Sequence, residues 1–257
     1  MSVLPPMLPA HHTNLKLALL LGVAAMLATL GPMPYLLVLM PQKFAHLPVP
    51  LTVLIAGQTV QAGALCWLLG WLGLYLGAPY GLDAPWLRAW IERRPFPSHS
   101  RWGLAILLGT LVGLAAVGLL LLAPNEAAPH GGHAFADAWR GFLASFYGGI
   151  VEEVECRLLL VSLLVWLFAW CNGRIARPWM FILAIVLAAL LFGAGHLPAA
   201  FATGMAHALL PILRIILLNA LVGAATGVLF WKYGLEHAML AHFSADLILH
   251  VAVPLAA

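Results

Sequence analysis

Glu152 and Glu153 stand side by side in a stretch that is otherwise apolar. Phe146 to Leu160 reads Phe-Tyr-Gly-Gly-Ile-Val-Glu-Glu-Val-Glu-Cys-Arg-Leu-Leu-Leu, and apolar residues continue to Trp170. With Glu155 and Arg157 this makes four ionisable side chains within six positions. At the centre of a bilayer-spanning helix each such charge costs at least roughly 2.5–3.5 kcal/mol, so charges kept there face water or a partner and mark a functional site. Glu153 and Arg157 are four apart, share a helix face and are expected to pair. Glu152 points one step round the helix and has no local partner. A partly desolvated glutamate beside a second carboxylate has the character of a general base working near neutral pH. The bland alternative is a buried ion-pair cluster that orients helices. Glu155 is given no role.

Two further groups lie downstream. Phe192-Gly193-Ala194-Gly195-His196 ends one apolar span, and its small residues allow the close helix approach that would bring His196 to the acidic helix. His242-Phe243-Ser244-Ala245-Asp246 lies in the last span, with His242 and Asp246 four apart on one face and His250 a turn further on. Each group alone is balanced by a structural reading. Together they place the deep ionisable residues in three helices of the carboxyl-terminal half, and one shared site explains that better than three coincidences. A general base, imidazoles and an arginine make a hydrolytic set that uses water directly. Cys156 sits among carboxylates and apolar side chains, where a thiolate is disfavoured, so it reads as packing rather than nucleophile.

The elements that must carry these residues are membrane helices. The chain has 257 residues, 63% hydrophobic and 8% charged, against about 25% charged in soluble domains. Continuous apolar runs exclude a β-barrel, whose strands alternate. A span needs roughly 20 apolar residues. Candidate spans are 17–40, 51–79, 102–123, 142–170, 179–197, 209–231 and 235–256. The expected fold is all-α: a polytopic bundle of seven spans, eight if a long run is broken, around a water-accessible cavity. It forms a single membrane domain, 1–257, with amino-terminal helices and loops over 1–139 and the motif-bearing core over 140–257. The run from Leu17 to Met40, broken by Gly31-Pro32-Met33-Pro34, reads as a retained helix with a proline kink rather than a cleaved signal. Segment 80–101 reads as an interfacial loop or short surface helix, and 124–140, with Pro124, Pro129, His130, Gly131, Gly132 and His133, as a polar loop.

Lys16, Arg88, Arg93, Arg94, Arg101, Arg174, Arg177 and Lys232 gather on one side of a seven-span chain, and Lys43, Arg140 and Arg214 on the other. This bias puts the amino terminus in the cytoplasm, and the carboxyl terminus outside unless there is an eighth span. The expected location is a multi-pass protein of a bacterial inner membrane. The net charge of +3 is spread out and gives no basic stripe for nucleic acid. Cys66, Cys156 and Cys171 have no zinc or redox spacing and read as small apolar fillers. His207 and His237, near helix ends, read as interfacial, and Trp179, Trp231 and Tyr233 as interface anchors.

Glu-Glu-x-x-x-Arg, then Phe-x-x-x-His, then His-x-x-x-Asp, on successive membrane helices, resembles the CPBP family. That family comprises type II CAAX prenyl proteases and bacteriocin-processing or immunity-related membrane proteins, and the resemblance covers about residues 140–257. It implies an intramembrane endopeptidase acting on a membrane-associated, in some members lipidated, protein or peptide. By the same resemblance Glu152 and His196 activate water, Glu153 and Arg157 support them, and His242 and Asp246 stabilise the oxyanion. Two positions depart from the pattern. Cys156 stands where a large apolar or aromatic residue is common, and Asp246 stands where the prenyl proteases have Asn. An ionised Asp cannot donate to an oxyanion, so Asp246 must be protonated, orient His242 or bind metal. His196, His242 and Asp246 would suit zinc with an open position, with Glu152 as base on its water. The His-Glu-x-x-His pattern of that chemistry is missing, and a metal-free glutamate mechanism without cofactor is the favoured reading. Two other functions remain open: a membrane immunity or binding protein of the same fold, and a proton-coupled transporter. Against the latter stands the lack of an inverted repeat.

Overall fold

The computed structural model describes residues 11–122, 133–203 and 208–256, and these form helices with no strand among them. Helix α1 (His11–Ala28) is followed by α2 (Met33–Leu39), bent from it by 41° across the Gly31-Pro32 break. This is the expected proline kink: Pro32 and Pro34 lack N–H donors and interrupt the helical ladder. After a short α3 (Pro41–Ala45) come α4 (Leu51–Gly77) with a 3₁₀ turn at Ala78–Tyr80, the surface helix α5 (Pro85–Ile91) and α6 (Trp102–Leu121). Helix α7 (Ala134–Tyr147) runs through two π-helical stretches, Gly148–Glu152 and Val154–Val161, into α8 (Ser162–Cys171). Next are α9 (Pro178–Gly195), α10 (Leu197–Ala202), α11 (Leu209–Tyr233) and α12 (Leu235–Asp246). A π turn at Leu247–Ala252 leads to α13 (Val253–Ala256).

Six of these helices are long and apolar enough to cross a membrane, and the bent α1–α2 pair makes a seventh. They match the seven expected spans, and no eighth occurs among the described residues. The protein is an integral, multi-pass membrane protein. One boundary moves. The acidic span is a 38-residue helix that starts at Ala134, so residues 134–140 are helical and not part of a polar loop. Its polar first turns are held by an Asp137–Arg140 ion pair at 2.7 Å, three residues apart. Pro124, Pro129, His130, Gly131, Gly132 and His207 lie outside the described residues.

Small residues set the helix spacing. Gly109 and Gly113 on α6 face Ala241 and Ala245 on α12, and a Cβ at Gly109 would run into the Ala241 carbonyl. With no hydrophobic drive between helices in lipid, such close backbone contact is a main source of association. The core clusters around Val154, Leu158, Val161 and Val165 of the acidic helix, packed between α1, α4 and α9. Cys66 is buried there as a filler, while Cys171 is exposed at a helix end. His237, near the start of α12, is buried, and its ring stacks on Trp102 at 4.1 Å.

Candidate active site

The acidic helix turns from α to π form where the chemistry sits. Gly148 and Gly149 begin this stretch, and π turns of this kind recur at functional sites. Gly148 packs flush against the last helix: a Cβ there would lie 2.5 Å from Asp246 Oδ2 and 3.1 Å from His242 Nε2. The widened turn presents Glu152 and Glu153 to α9 and α12.

All six residues singled out from the sequence converge. Glu152 Oε1 is 3.8 Å from His196 Nε2, and its Oε2 is 3.6 Å from His242 Nε2. Glu153 Oε1 is 2.6 Å from His242 Nδ1 and 3.3 Å from Arg157 Nη2, so the expected Glu153–Arg157 pair forms. Asp246 Oδ1 is 3.8 Å from His242 Nε2. Glu155 makes no hydrogen bond or ion pair with this group among the described residues, but it lies within electrostatic reach of Glu152 as well as of Cys66 and Tyr147.

Burial divides the six. Glu153 and Arg157 have side-chain exposures of 0% and 1%, whereas Glu152 has 21% and His196 36%. The ion pair is sealed behind the site, and Glu152 faces its accessible side.

Hydrogen bonds fix the imidazoles. His196 Nδ1 lies 2.9 Å from the Phe192 carbonyl oxygen, which only accepts, so Nδ1 carries the proton. His242 Nδ1 likewise donates to the Glu153 carboxylate. Both Nε2 atoms are thereby turned toward Glu152. The gaps of 3.6 and 3.8 Å are too long for direct hydrogen bonds and suit a bridging water. A carboxylate flanked by two imidazole nitrogens can take a proton from water and deliver the hydroxide to an electrophile.

Of three further residues that hold this arrangement, Phe192 belongs to the Phe-x-x-x-His motif, while Thr226 and the role of Gly148 were not picked out from the sequence. Thr226 on α11 accepts from Arg157 Nε at 2.7 Å. The Arg157 guanidinium lies 4.7 Å above the Phe192 ring, whose edge meets the rings of His196 and His242. Gly148 makes room for Asp246. Each had a visible signal: a polar Thr in an apolar span, a Phe one turn before His196, and a Gly-Gly pair just before the glutamates.

The depth of α12 is set from its amino-terminal end. Leu235 N–H donates to the Asp83 carbonyl at 3.0 Å, and Glu236 Oε1 accepts from Leu87 N–H at 2.8 Å. His237 Nε2 accepts from Arg101 N–H at 3.1 Å. Behind these, buried Arg88 binds Asp83 at 2.5 and 2.8 Å and Asn14 of α1 at 2.7 Å. His242 lies five residues beyond His237 on the same helix, so the surface segment fixes its height.

Among the described residues no three His, Cys, Asp or Glu side chains are arranged to hold a metal ion.

Residues 133–248 match the family model for type II CAAX prenyl endopeptidases, Rce1-like. No curated protein and no solved structure matches the chain. The matched stretch starts one residue before α7, ends two residues after Asp246 and contains every member of the constellation. Over residues 133–248 the chain is similar to the Rce1-like family of type II CAAX prenyl endopeptidases.

Proposed function

We propose that the protein is a glutamate-dependent intramembrane endopeptidase. It hydrolyses a peptide bond in a membrane-associated protein or peptide, and by its family a lipidated carboxyl-terminal segment is the first substrate class to try. The observation that carries this reading is the Glu152 carboxylate facing His196 Nε2 and His242 Nε2 at 3.8 and 3.6 Å.

Water held between these groups donates one hydrogen to Glu152 and the other to His196 Nε2. Glu152 takes the proton as the water oxygen attacks the scissile carbonyl carbon. The tetrahedral oxyanion forms beside His242, which donates from Nε2 when both of its nitrogens are protonated. Glu153 and Asp246 supply the counter-charge to that imidazolium. Asp246 thus acts as a carboxylate that orients and balances His242, in place of an amide donor. Glu152 then passes its proton to the departing amine, the C–N bond breaks and both products leave neutralised. Arg157, clamped by Thr226 and Phe192, holds Glu153 in place.

No step is routed through a metal. We further propose, from the lysine and arginine bias, that the protein lies in a bacterial inner membrane with a cytoplasmic amino terminus. The test is cleavage of membrane-tethered peptides by the reconstituted protein and its Glu152→Gln variant. Cleavage lost only in the variant supports the reading. A parent protein that binds such peptides without cutting them supports an immunity or binding role.

A further inference from the structure

A groove lies on the segment joining α4 to α6. It has a volume of 520 Å³ and is lined by Ala89, Trp90, Ile91, Arg93, Arg94 and Phe96. A second hollow of 390 Å³ adjoins it and shares Ala89 and Arg94. Trp90 and Phe96 are exposed, at 61% and 54%. The segment sits between two membrane spans, Leu51–Tyr80 and Trp102–Leu121, which is the depth of lipid headgroups.

The cations of this groove are differently engaged. Arg88 is buried against Asp83, and Arg94 pairs with Glu92. Arg93 is exposed and makes no ion pair or side-chain hydrogen bond among the described residues. It is also held in the left-handed region, at φ 52°, just past the end of α5. Glycine is the usual residue there, since a Cβ is disfavoured in that conformation. The last carbonyls of α5 are already taken: Arg88 O by Glu92 N–H, Ala89 O by Arg94 N–H and Trp90 O by Arg93 N–H. The Arg93 side chain makes no hydrogen bond to these carbonyls. A free guanidinium, a strained backbone that keeps it, and an indole and a phenyl ring beside it form an amphipathic site at headgroup depth.

We propose that this groove binds the headgroup of an anionic phospholipid. The phosphate meets Arg93 and Arg94, and the upper acyl chain runs along Trp90, Ile91 and Phe96. Guanidinium is the side chain best matched to phosphate, and the aromatic rings suit the glycerol and first methylenes. Lipid bound here does not depend on whether Glu152 cleaves anything.

The test is native mass spectrometry of the delipidated full-length protein. It is titrated with palmitoyl-oleoyl phosphatidylglycerol, with the matching phosphatidylcholine, and with inorganic phosphate. The expected preference for phosphatidylglycerol is about fivefold, the effect of one basic residue near an anionic lipid. Arg93→Gln and Arg93→Gly should both remove that preference. Arg93→Gly should at the same time raise thermal stability by relieving the left-handed strain, so a loss of lipid selectivity cannot be ascribed to unfolding. Arg174→Gln is the control, because Arg174 is the other non-glycine residue at positive φ and lies outside the groove. Equal retention of the two lipids, a preference that survives both Arg93 variants, a preference lost equally in Arg174→Gln, or displacement of the lipid by inorganic phosphate would each overturn the proposal.

Discussion

His242 Nδ1 lies 2.6 Å from Glu153 Oε1, joining residues 89 apart in the chain through a buried hydrogen bond. The same glutamate oxygen faces Arg157. Glu153 is thus the joint between the acidic helix and α12, and it does not touch the accessible side of the site. Its neighbour Glu152 is partly exposed, at 21%, and faces His196 and His242 across gaps of 3.8 and 3.6 Å rather than through a direct hydrogen bond. The two glutamates should respond differently to the same substitution.

Glu153→Gln is expected to cost about 3–5 kcal/mol of stability, since it leaves the buried Arg157 uncompensated. Activity should fall with it. Unfolding of the detergent-solubilised protein measures the first effect. Glu152→Gln should unfold like the parent, and a stability loss there equal to that of Glu153→Gln would show that Glu152 is structural.

Thr226→Val removes the hydroxyl that accepts from Arg157 Nε. A buried donor left without its partner costs about 1–3 kcal/mol. Thr226→Ser keeps the oxygen and should match the parent. The same unfolding assay decides, and identical behaviour of the Val and Ser variants would remove Thr226 from the network.

Gly148→Ala places a methyl group 2.5 Å from Asp246 Oδ2. The carboxylate or α12 must shift. Displacement by about 1 Å at a catalytic centre can cost on the order of 100-fold in rate. Steady-state cleavage should show that loss with the fold retained, and an Ala variant as active as the parent would mean the packing at Asp246 is slack.

Asp246→Asn restores the residue common in the prenyl proteases. If the carboxylate balances His242, kcat should fall on the order of tenfold, the effect of about 1.4 kcal/mol, with KM little changed. Full activity in the Asn variant would instead mean that this position serves as a hydrogen-bond donor.

Much of the site is legible in the sequence. Helical spacing alone paired Glu153 with Arg157 and put His242 and Asp246 on one face, because those relations are local. That Glu152 meets both His196 and His242 could be inferred only as convergence of costly groups, since contacts between helices leave no spacing in the sequence. Thr226 escaped notice for this reason: its partner is 69 residues away. The widened turn at Gly148–Glu152 also left no periodic signal. The polar loop expected over 124–140 rests on its prolines, glycines and histidines, whereas the acidic helix starts at Ala134 and its Asp137 and Arg140 neutralise each other along it. His237 reads as a residue near a helix end, but its partners, the Trp102 ring and the Arg101 amide, come from a segment far back in the chain and leave no local signal.

The central claim is that Glu152 activates the hydrolytic water. The most direct measurement compares cleavage of a panel of lipidated and unlipidated membrane-tethered peptides by the reconstituted parent and by Glu152→Gln, each with and without a metal chelator. The account predicts that the parent cuts at least one peptide at a rate indifferent to chelator, and that the variant is slower by about 10²–10⁴-fold, the usual contribution of a general base. A variant that cuts as fast as the parent, or a parent silenced by chelator, would contradict it.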